Sequence, residues 1–250
     1  MLYNRTIRAF EILSVFKLMN HIPKRILDFG YGEGQITNYL HEKGYNIIGL
    51  DVIKWNYENI KKNFPDCDFR SYDGLNIPFK KNSFDTIILN DVMEHIPYNK
   101  INILIKGLKN ILQPGGLIYI CVLNRFIIIE SHTQIPFITW FPKIFWKPIE
   151  KFFKNKKISY NISDIYPYTF RSLKLFCLRH NLQFIDFTSV YVYHKFMRLE
   201  YIGNKLMRGC VKILKKISII NLFFHLACKC SAIVCVLKPL KLNNEKEIWT

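Results

Sequence analysis

Three alternate glycines directly behind a short apolar segment constrain the fold of this chain more than any other feature. Residues 25–29 predict a buried strand, and Gly30, Gly32 and Gly34 follow it. Glycine adopts positive φ angles without steric penalty and lets a ligand come close to the backbone. The residues after Gly34 predict a helix, whose first N–H groups lack partners within the helix. A strand, a glycine-rich turn and a helix in this order predict a pocket for a nucleotide-like ligand.

Apolar segments of strand length alternate with helical patterns between residues 25 and 124. The predicted strands lie at 25–29, 46–50, 67–72, 86–89 and 117–123. This alternation predicts an α/β fold with a doubly wound parallel sheet and helices on both of its faces. Ligands of such sheets bind outside the carboxyl ends of the strands. Residues suited to contact a ligand fall at those ends, namely Asp28, Gly30, Asp51, Asp73 and Asn90.

The remaining segments complete one predicted domain. Helices are predicted at 4–19, 36–43, 54–63 and 97–112, and a turn at 113–116. After residue 124 we expect an aromatic and basic insertion, a helix, a strand, a basic helix and a final strand, at about 125–166, 169–180, 184–191, 196–228 and 232–237. The domain is expected to span residues 1–240, followed by a polar tail over 241–250.

The chain is strongly basic, with 36 Lys and Arg against 19 Asp and Glu and a formal net charge of +17. Such a charge favours nucleic acid, an anionic membrane surface or an acidic substrate as a partner. Trp and Phe lie among lysines over 140–157, which suits peripheral contact with an anionic membrane. A bias of the whole composition toward Lys, Ile and Asn explains the charge without any partner. Both alternatives stay open, and nucleic acid is the least favoured partner.

Cysteine usage and the apolar segments bear on the compartment. The seven cysteines form no Cys-x-x-Cys pair, which predicts reduced thiols in a cytoplasmic protein without a zinc site. Charged residues interrupt the N-terminal segment, which is therefore not expected to be a signal peptide. Segment 217–237 has the length of a membrane span but contains His225 and Lys229. Its pattern changes from helical to alternating, so we expect a helix followed by a strand.

The spacing of the glycines indicates which class of nucleotide-like ligand the loop is suited to bind. A dinucleotide-binding loop has the pattern G-x-G-x-x-G, whereas the third glycine here comes one position early, at Gly34. Asp28 precedes the loop, where a carboxylate repels a pyrophosphate but attracts a cation. No Gly-Lys-Ser or Gly-Lys-Thr is present to hold a triphosphate. The pattern disfavours NAD and favours an adenosine-like cation without phosphates, such as S-adenosylmethionine.

Taken together, these segments resemble the motifs of class I S-adenosylmethionine-dependent methyltransferases. The glycine loop is similar to the first motif of that family, residues 48–52 to the second and Asp73-Gly74 to the third. Segments 90–96 and 108–116 resemble two further motifs of its small-molecule, type 11-like branch. The resemblance covers about residues 22–124. It implies a mostly parallel sheet in the order 3-2-1-4-5-7-6 with an antiparallel last strand.

The resemblance also implies roles for single residues. Asp51 accepts hydrogen bonds from both ribose hydroxyls, and Asp73 meets the adenine amino group. The whole predicted S-adenosylmethionine site comprises Asp28, Gly30, Tyr31, Gly32, Gly34, Asp51, Val52, Asp73, Gly74 and Asn90.

Methyl transfer to oxygen or nitrogen calls for a general base near the methyl group. His95 and His132 follow the fourth and fifth predicted strands and are the candidate catalytic residues. In one subgroup of the family, which includes quinone O-methyltransferases, a Glu-x-x-Glu-His segment resembles a divalent-metal site. Asp91, Glu94 and His95, joined by His132, give a similar set here. The favoured alternative is that Glu94 and His95 order the start of a helix and the pocket wall.

These features predict a methyltransferase that acts by in-line transfer on a small or lipid-linked acceptor, with oxygen as the favoured atom. A location in the cytoplasm or at the periphery of the membrane is compatible with this function. An RNA methyltransferase is an alternative that only the positive charge supports. A protein that binds the cofactor and serves as a non-catalytic partner is the alternative from a different functional class.

Overall fold

A seven-stranded sheet forms the centre of the protein. The computed structural model describes residues 2–52, 57–130, 133–153, 162–202 and 220–240. The strands are β1 (Ile26–Phe29), β2 (Ile47–Asp51), β3 (Asp68–Ser71), β4 (Phe84–Asn90), β5 (Leu112–Val122), β6 (Leu182–Asp186) and β7 (Ile233–Pro239). They lie in the order β3-β2-β1-β4-β5-β7-β6, which confirms the predicted order.

The strand directions also agree with the prediction. β1 to β5 pair in parallel, while β7 runs antiparallel to both β5 and β6. β1 and β2 are buried along their whole lengths, as expected for parallel strands that helices cover on both faces. The carboxyl ends of the parallel strands therefore meet at one edge of the sheet.

Helices pack against both faces of this sheet. The described α-helices are α1 (Leu2–Leu18), α2 (Gln35–Glu42), α3 (Tyr57–Asn63), α4 (Ile101–Ile111), α5 (Trp146–Phe152), α6 (Phe170–Arg179), α7 (Thr188–Ile202) and α8 (Ile220–Lys229). Ile12 of α1, Leu40 of α2 and Val192 of α7 share the apolar cluster on one face. Ile105 of α4 and Leu173 of α6 belong to the cluster on the other face.

The residues after β5 form an insertion with a small core of its own. It contains α5 and 3-10 turns at Ile138–Trp140, Lys143–Phe145 and Ile162–Asp164. Its separate buried cluster comprises Leu123, Ile135, Ile138, Trp146, Ile162 and Ile165. The chain returns to the sheet at Tyr168, whose N–H donates to the Leu123 carbonyl at 2.9 Å. The insertion thus lies next to the carboxyl end of β5.

The predicted strand over 184–191 is wrong in its second half. β6 ends at Asp186 and α7 begins at Thr188. The Thr188 N–H donates to Asp186 Oδ1 at 2.9 Å, and the Thr188 hydroxyl accepts the Val234 N–H from β7 at 3.1 Å. Because these contacts turn the chain, Tyr191 becomes a buried residue on a helix. Tertiary hydrogen bonds override the strand preference of the aromatic and β-branched residues here.

Two further boundaries differ around α4. The predicted helix over 97–112 begins later, at Ile101, and a 3-10 turn over Met93–His95 precedes it. The predicted turn at 113–116 lies within β5, whose pairing with β4 shifts register between Phe84 and Thr86. The pairing is irregular there, because residues 113–116 of β5 lie opposite the single residue Asp85 of β4.

The C-terminal segments confirm part of the prediction. Within segment 217–237 the structure describes α8 followed by β7, the predicted helix and strand. The predicted basic helix over 196–228 is described only at its two ends, in α7 and α8, because residues 203–219 lie outside the described residues. In the described part of the chain, no helix combines the length and the apolar character that crossing a membrane requires.

Candidate functional site

The glycine loop leaves β1 in a backbone conformation that residues with side chains rarely adopt. Gly30, Gly32 and Gly34 have φ angles of 82°, 56° and 75°. A Cβ atom on Gly30 would lie 2.4 Å from a methyl carbon of Val92, in the turn after β4. Glycine is therefore required at position 30 by both φ and space, and the loop of β1 touches the turn after β4.

Asp51 ties this loop to the end of β2. Its carboxylate is buried, and its Oδ2 accepts the N–H of Gly32 at 2.8 Å. The N–H of Gly30 donates to the carbonyl of Leu50 at 2.7 Å. Two predicted motifs, the glycine loop and the acid after the second strand, are thus joined at the carboxyl edge of the sheet.

Asp28 has a partner inside the fold. It is buried on β1, and its Oδ2 accepts the hydroxyl of Thr37 in α2 at 2.6 Å. Burial raises the pKa of Asp28 to about 6, the Thr37 hydrogen bond opposes the shift, and the charge of Asp51 adds to it. The Asp28 side chain therefore anchors the first helical turn after the loop. Nothing in the sequence pattern singled out Thr37 as its partner.

The second and third predicted motifs lie side by side. Val52 is 51% exposed directly after Asp51, and a Cβ on Gly74 would lie 3.4 Å from Val52 Cγ1. Asp73 is exposed, and its Oδ1 accepts the N–H groups of Asn76 and Leu75, both at 2.8 Å. These backbone hydrogen bonds lower the pKa of Asp73, and the one from Asn76 has the largest effect. The Asp73 carboxylate is thus held as an anion in its own turn.

Three buried polar atoms around the loop have no hydrogen-bond partner among the described residues. They are the Tyr31 hydroxyl, Gln35 Oε1 and Asn90 Oδ1. Burial, followed by the charge of Asp51, raises the pKa of Tyr31 to about 12, so its hydroxyl is neutral. Buried polar atoms are normally hydrogen-bonded, so this set fits a ligand that brings its own polar groups. The hydroxyl and ammonium groups of an adenosylated amino acid suit the two amide oxygens.

Only one of the two candidate bases falls on the described residues. His95 ends the 3-10 turn after β4, is half-buried, and its N–H donates to the Val92 carbonyl at 3.0 Å. His132 lies outside the described residues. In the part of the chain that the structure describes, no three His, Cys, Asp or Glu side chains come together in a metal site. That statement covers Asp91, Glu94 and His95 but not His132.

Glu94 is a buried acid beside this turn. Within the described ranges its Oε2 has no hydrogen-bond partner. Burial raises its pKa well above the ordinary value, and the charge of Asp91 adds to the shift. Its backbone carbonyl accepts the N–H of Tyr166 at 2.7 Å, which joins the turn to the end of the insertion. The structure therefore places the buried Glu94 side chain between β4 and the insertion.

Sequence reasoning missed Arg8 altogether. α1 carries this side chain across the sheet to the turn after β4, where its Nη2 lies 3.7 Å from Asp91 Oδ2. The same guanidinium pairs with Glu11 at 3.1 Å. The available signal was a pair of opposite charges at i, i+3 on a helix whose neighbouring residues are apolar, since buried arginines are normally paired.

Comparison with known proteins matches part of the chain to methyltransferases. The family described as methyltransferase domain matches residues 27–120. A ubiquinone biosynthesis O-methyltransferase from Pelagibacter ubique is 30% identical over 123 residues, which cover 48% of this chain and 49% of that protein. An uncharacterized methyltransferase from Synechocystis is 26% identical over 102 residues, covering 41% of this chain and 48% of that protein. The chain spans about half the length of these curated relatives.

A solved structure shares the fold over nearly the whole chain. It is a SAM-dependent methyltransferase from Archaeoglobus fulgidus with a TM-score of 0.55 and 13% identity, and the match covers 95% of this chain and 93% of that one. The strand order is that of the class I methyltransferase fold, and the match over residues 27–120 supports a class I S-adenosylmethionine-dependent methyltransferase domain there. Domains of this kind take S-adenosylmethionine as the methyl donor.

Proposed function

We propose that this chain is a methyltransferase that moves the methyl group of S-adenosylmethionine to a small or lipid-linked acceptor, with oxygen as the atom methylated. The hydrogen bond from the Gly32 N–H to Asp51 carries the proposal, because it joins the glycine loop and the ribose-binding acid at one edge. The name of the Pelagibacter relative, a ubiquinone biosynthesis O-methyltransferase, supports oxygen and a lipid-linked acceptor.

The donor site we propose uses the ten predicted residues in distinct ways. Asp51 accepts the ribose hydroxyls, and Val52 with Gly74 forms an apolar wall for the adenine. Asp73 receives the adenine amino group at the rim of that wall. Tyr31 and Asn90 supply polar atoms to the amino-acid end, as their unpartnered buried atoms suggest. Asp28 acts through Thr37 by fixing the start of α2, and Gly30, Gly32 and Gly34 give the loop its shape.

Methyl transfer needs little covalent chemistry from the protein itself. S-adenosylmethionine, when bound, supplies a methyl group on a sulfonium that takes back the electron pair of the broken bond and leaves as a neutral thioether. The protein's contribution is to hold the acceptor oxygen in line and to exclude water. His95 is the described residue that we propose as the base for the acceptor's hydroxyl proton, with His132 as the other candidate.

Calorimetry with S-adenosylhomocysteine and with NAD tests the donor assignment. We expect the full chain to bind S-adenosylhomocysteine and not NAD, because the third glycine of the loop comes one position earlier than in a pyrophosphate-binding pattern. Binding of NAD alone would overturn the proposal.

The insertion supports a lipid-linked acceptor and a location at the membrane periphery. It exposes large apolar side chains next to the carboxyl end of β5, including Trp140 at 43% and Phe152 at 86%. Other exposed members are Phe126, Phe137, Phe141, Ile144, Phe145 and Phe153. Exposed lysines lie among them, at Lys143, Lys147 and Lys151. Exposed aromatic and basic side chains close together in the sequence suit the apolar interior and anionic headgroups of a bilayer. We name residues 126–153 the aromatic insertion.

A further inference from the structure

The guanidinium of Arg8 joins four separate parts of the fold. It pairs with Glu11 on its own helix at 3.1 Å and with Asp91 after β4 at 3.7 Å. Its Nη1 lies 3.6 Å from the sulfur of Cys121 on β5. On α7, it stacks over the Tyr191 ring at 4.5 Å. The Arg8 side chain is only 20% exposed, so these contacts replace most of its hydration.

Asp91 is held in an unusual conformation by the same group of contacts. Its φ angle is 56°, a region that side-chain-bearing residues rarely adopt. Its N–H donates to the Cys121 carbonyl at 2.9 Å, and its Oδ2 accepts the Asn90 side-chain amide at 2.9 Å. Such strained residues persist where surrounding contacts over-determine them, and they cluster at functional sites.

This turn carries two residues of the proposed site, Asn90 and His95, and a third residue, Val92, that packs against the glycine loop. Asn90 precedes Asp91 and presents its Oδ1 without a partner among the described residues. Val92 follows and packs so closely on Gly30 that no Cβ fits there. Glu94 and His95 complete the turn. A shift of Asp91 would therefore also move the contact of Val92 with Gly30, the side-chain amide of Asn90 and the proposed base, His95.

Packing of α1 against the sheet does not require the buried cation of Arg8. Ala9, Ile12, Val15 and Phe16 already bury an apolar stripe of α1 against the sheet. Removing an arginine from water is costly, and apolar side chains of similar volume often stabilise a fold as well as a buried ion pair does. The placement of Arg8 is better explained by what it orients than by the stability that it adds.

We infer that Arg8 is a positioning residue, through which α1 holds the left-handed turn at Asp91 and so sets Asn90 and Val92 against the methyl-donor loop. The inference rests on the proposed function for the identity of the donor. It makes the binding of the donor depend on how α1 is docked, although no residue of α1 belongs to the predicted site.

Two measurements on the full chain test this inference. Hydrogen exchange of peptides covering residues 88–96 reports the order of the turn, and calorimetry with S-adenosylhomocysteine reports the donor site. Arg8→Met keeps the volume and removes the cation, whereas Arg8→Lys keeps a charge but not the planar fork. Ser14→Ala is the control, because it removes another polar contact of α1, the 2.9 Å bond to His194 on α7, and leaves Arg8 in place.

We expect Arg8→Met to speed exchange in the turn and to weaken S-adenosylhomocysteine binding about tenfold, with Arg8→Lys in between and Ser14→Ala unchanged. If Arg8→Met does not fold, the double variant Arg8→Met, Glu11→Met removes the stranded carboxylate and takes its place. Exchange at the wild-type rate in the variant would overturn the positioning role even if the donor were another ligand. Faster exchange with unchanged affinity would overturn the link to the donor site, while a wild-type chain that binds no S-adenosylhomocysteine would refute the proposed function instead.

Discussion

At the scale of single residues, the conformation of the glycine loop depends most strongly on Gly30. Alanine there must adopt a φ of 82° and place its Cβ 2.4 Å from Val92. We expect Gly30→Ala to lower the free energy of unfolding by about 2–4 kcal/mol, because strain in the backbone and overpacking add. Urea unfolding measures the change.

Gly44→Ala is the control for that prediction. Gly44 has nearly the same φ, 84°, but nothing lies within 4 Å of the added Cβ. The loss of unfolding free energy in Gly44→Ala therefore measures the backbone strain alone, which we expect to be about 1 kcal/mol. Equal losses in the two variants would contradict the close packing of the loop against the turn after β4.

The buried carboxyl group of Asp28 predicts that the stability of the fold depends on pH. The fold raises its pKa from 3.8 to about 6, so the folded protein binds this proton more tightly than the unfolded chain does. The contribution of Asp28 to stability is therefore fully present below the lower value and is lost as pH rises through the higher one. We expect Asp28→Asn to gain up to about 3 kcal/mol of unfolding free energy relative to the wild type between about pH 4 and about pH 8.

Urea unfolding of both proteins at the two pH values measures this gain. The Thr37 hydroxyl, 2.6 Å from the carboxylate, can donate to the Asn side-chain carbonyl, so the change removes a charge and keeps a hydrogen bond. A difference that does not vary with pH would show that Asp28 is not the buried titrating group described here.

At the scale of elements, the aromatic insertion makes the clearest prediction. We expect the protein to float with vesicles of phosphatidylserine and phosphatidylcholine at low salt and to be released at high salt, since the attraction is partly electrostatic. Changing Lys143, Lys147 and Lys151 to Glu should abolish flotation. The same change at three exposed lysines elsewhere, Lys17, Lys62 and Lys81, alters the net charge equally and should weaken it far less. Equal loss in both triple variants would assign the binding to overall charge.

The elements also show where sequence reasoning succeeds and where it stops. β1, β2 and β4 were predictable because strands covered on both faces leave continuous apolar runs. The boundary between β6 and α7 was not, because Thr188 turns the chain through bonds to Asp186 and to β7 that no local pattern encodes. Capping residues and glycines are local signals, whereas contacts between distant strands and helices are not.

At the scale of the whole molecule, the proposed donor site is more predictable from the sequence than the other contacts of the fold, because its residues lie in local motifs. The glycines and the acids Asp28, Asp51 and Asp73 could be predicted as site residues because each lies in a short motif at or near a strand end, and their role in holding the donor stays a prediction. Arg8 and Thr37 were missed because their partners, Asp91 and Asp28, are far away in sequence and meet only in the folded sheet. The proposed acceptor side is the least predictable, since the insertion has its own small core and no motif.

The most direct test of the central claim is the affinity of S-adenosylhomocysteine for the wild type and for Asp51→Ala. Asp51 joins the glycine loop to β2 and is the proposed acceptor for the ribose hydroxyls. Asp68→Ala is the control, since it removes an exposed acid of β3 that pairs with Arg70. By calorimetry we expect binding to the wild type and to the control, and at least about tenfold weaker binding to Asp51→Ala. A wild type that does not bind, or an Asp51→Ala variant with full affinity, would contradict the account.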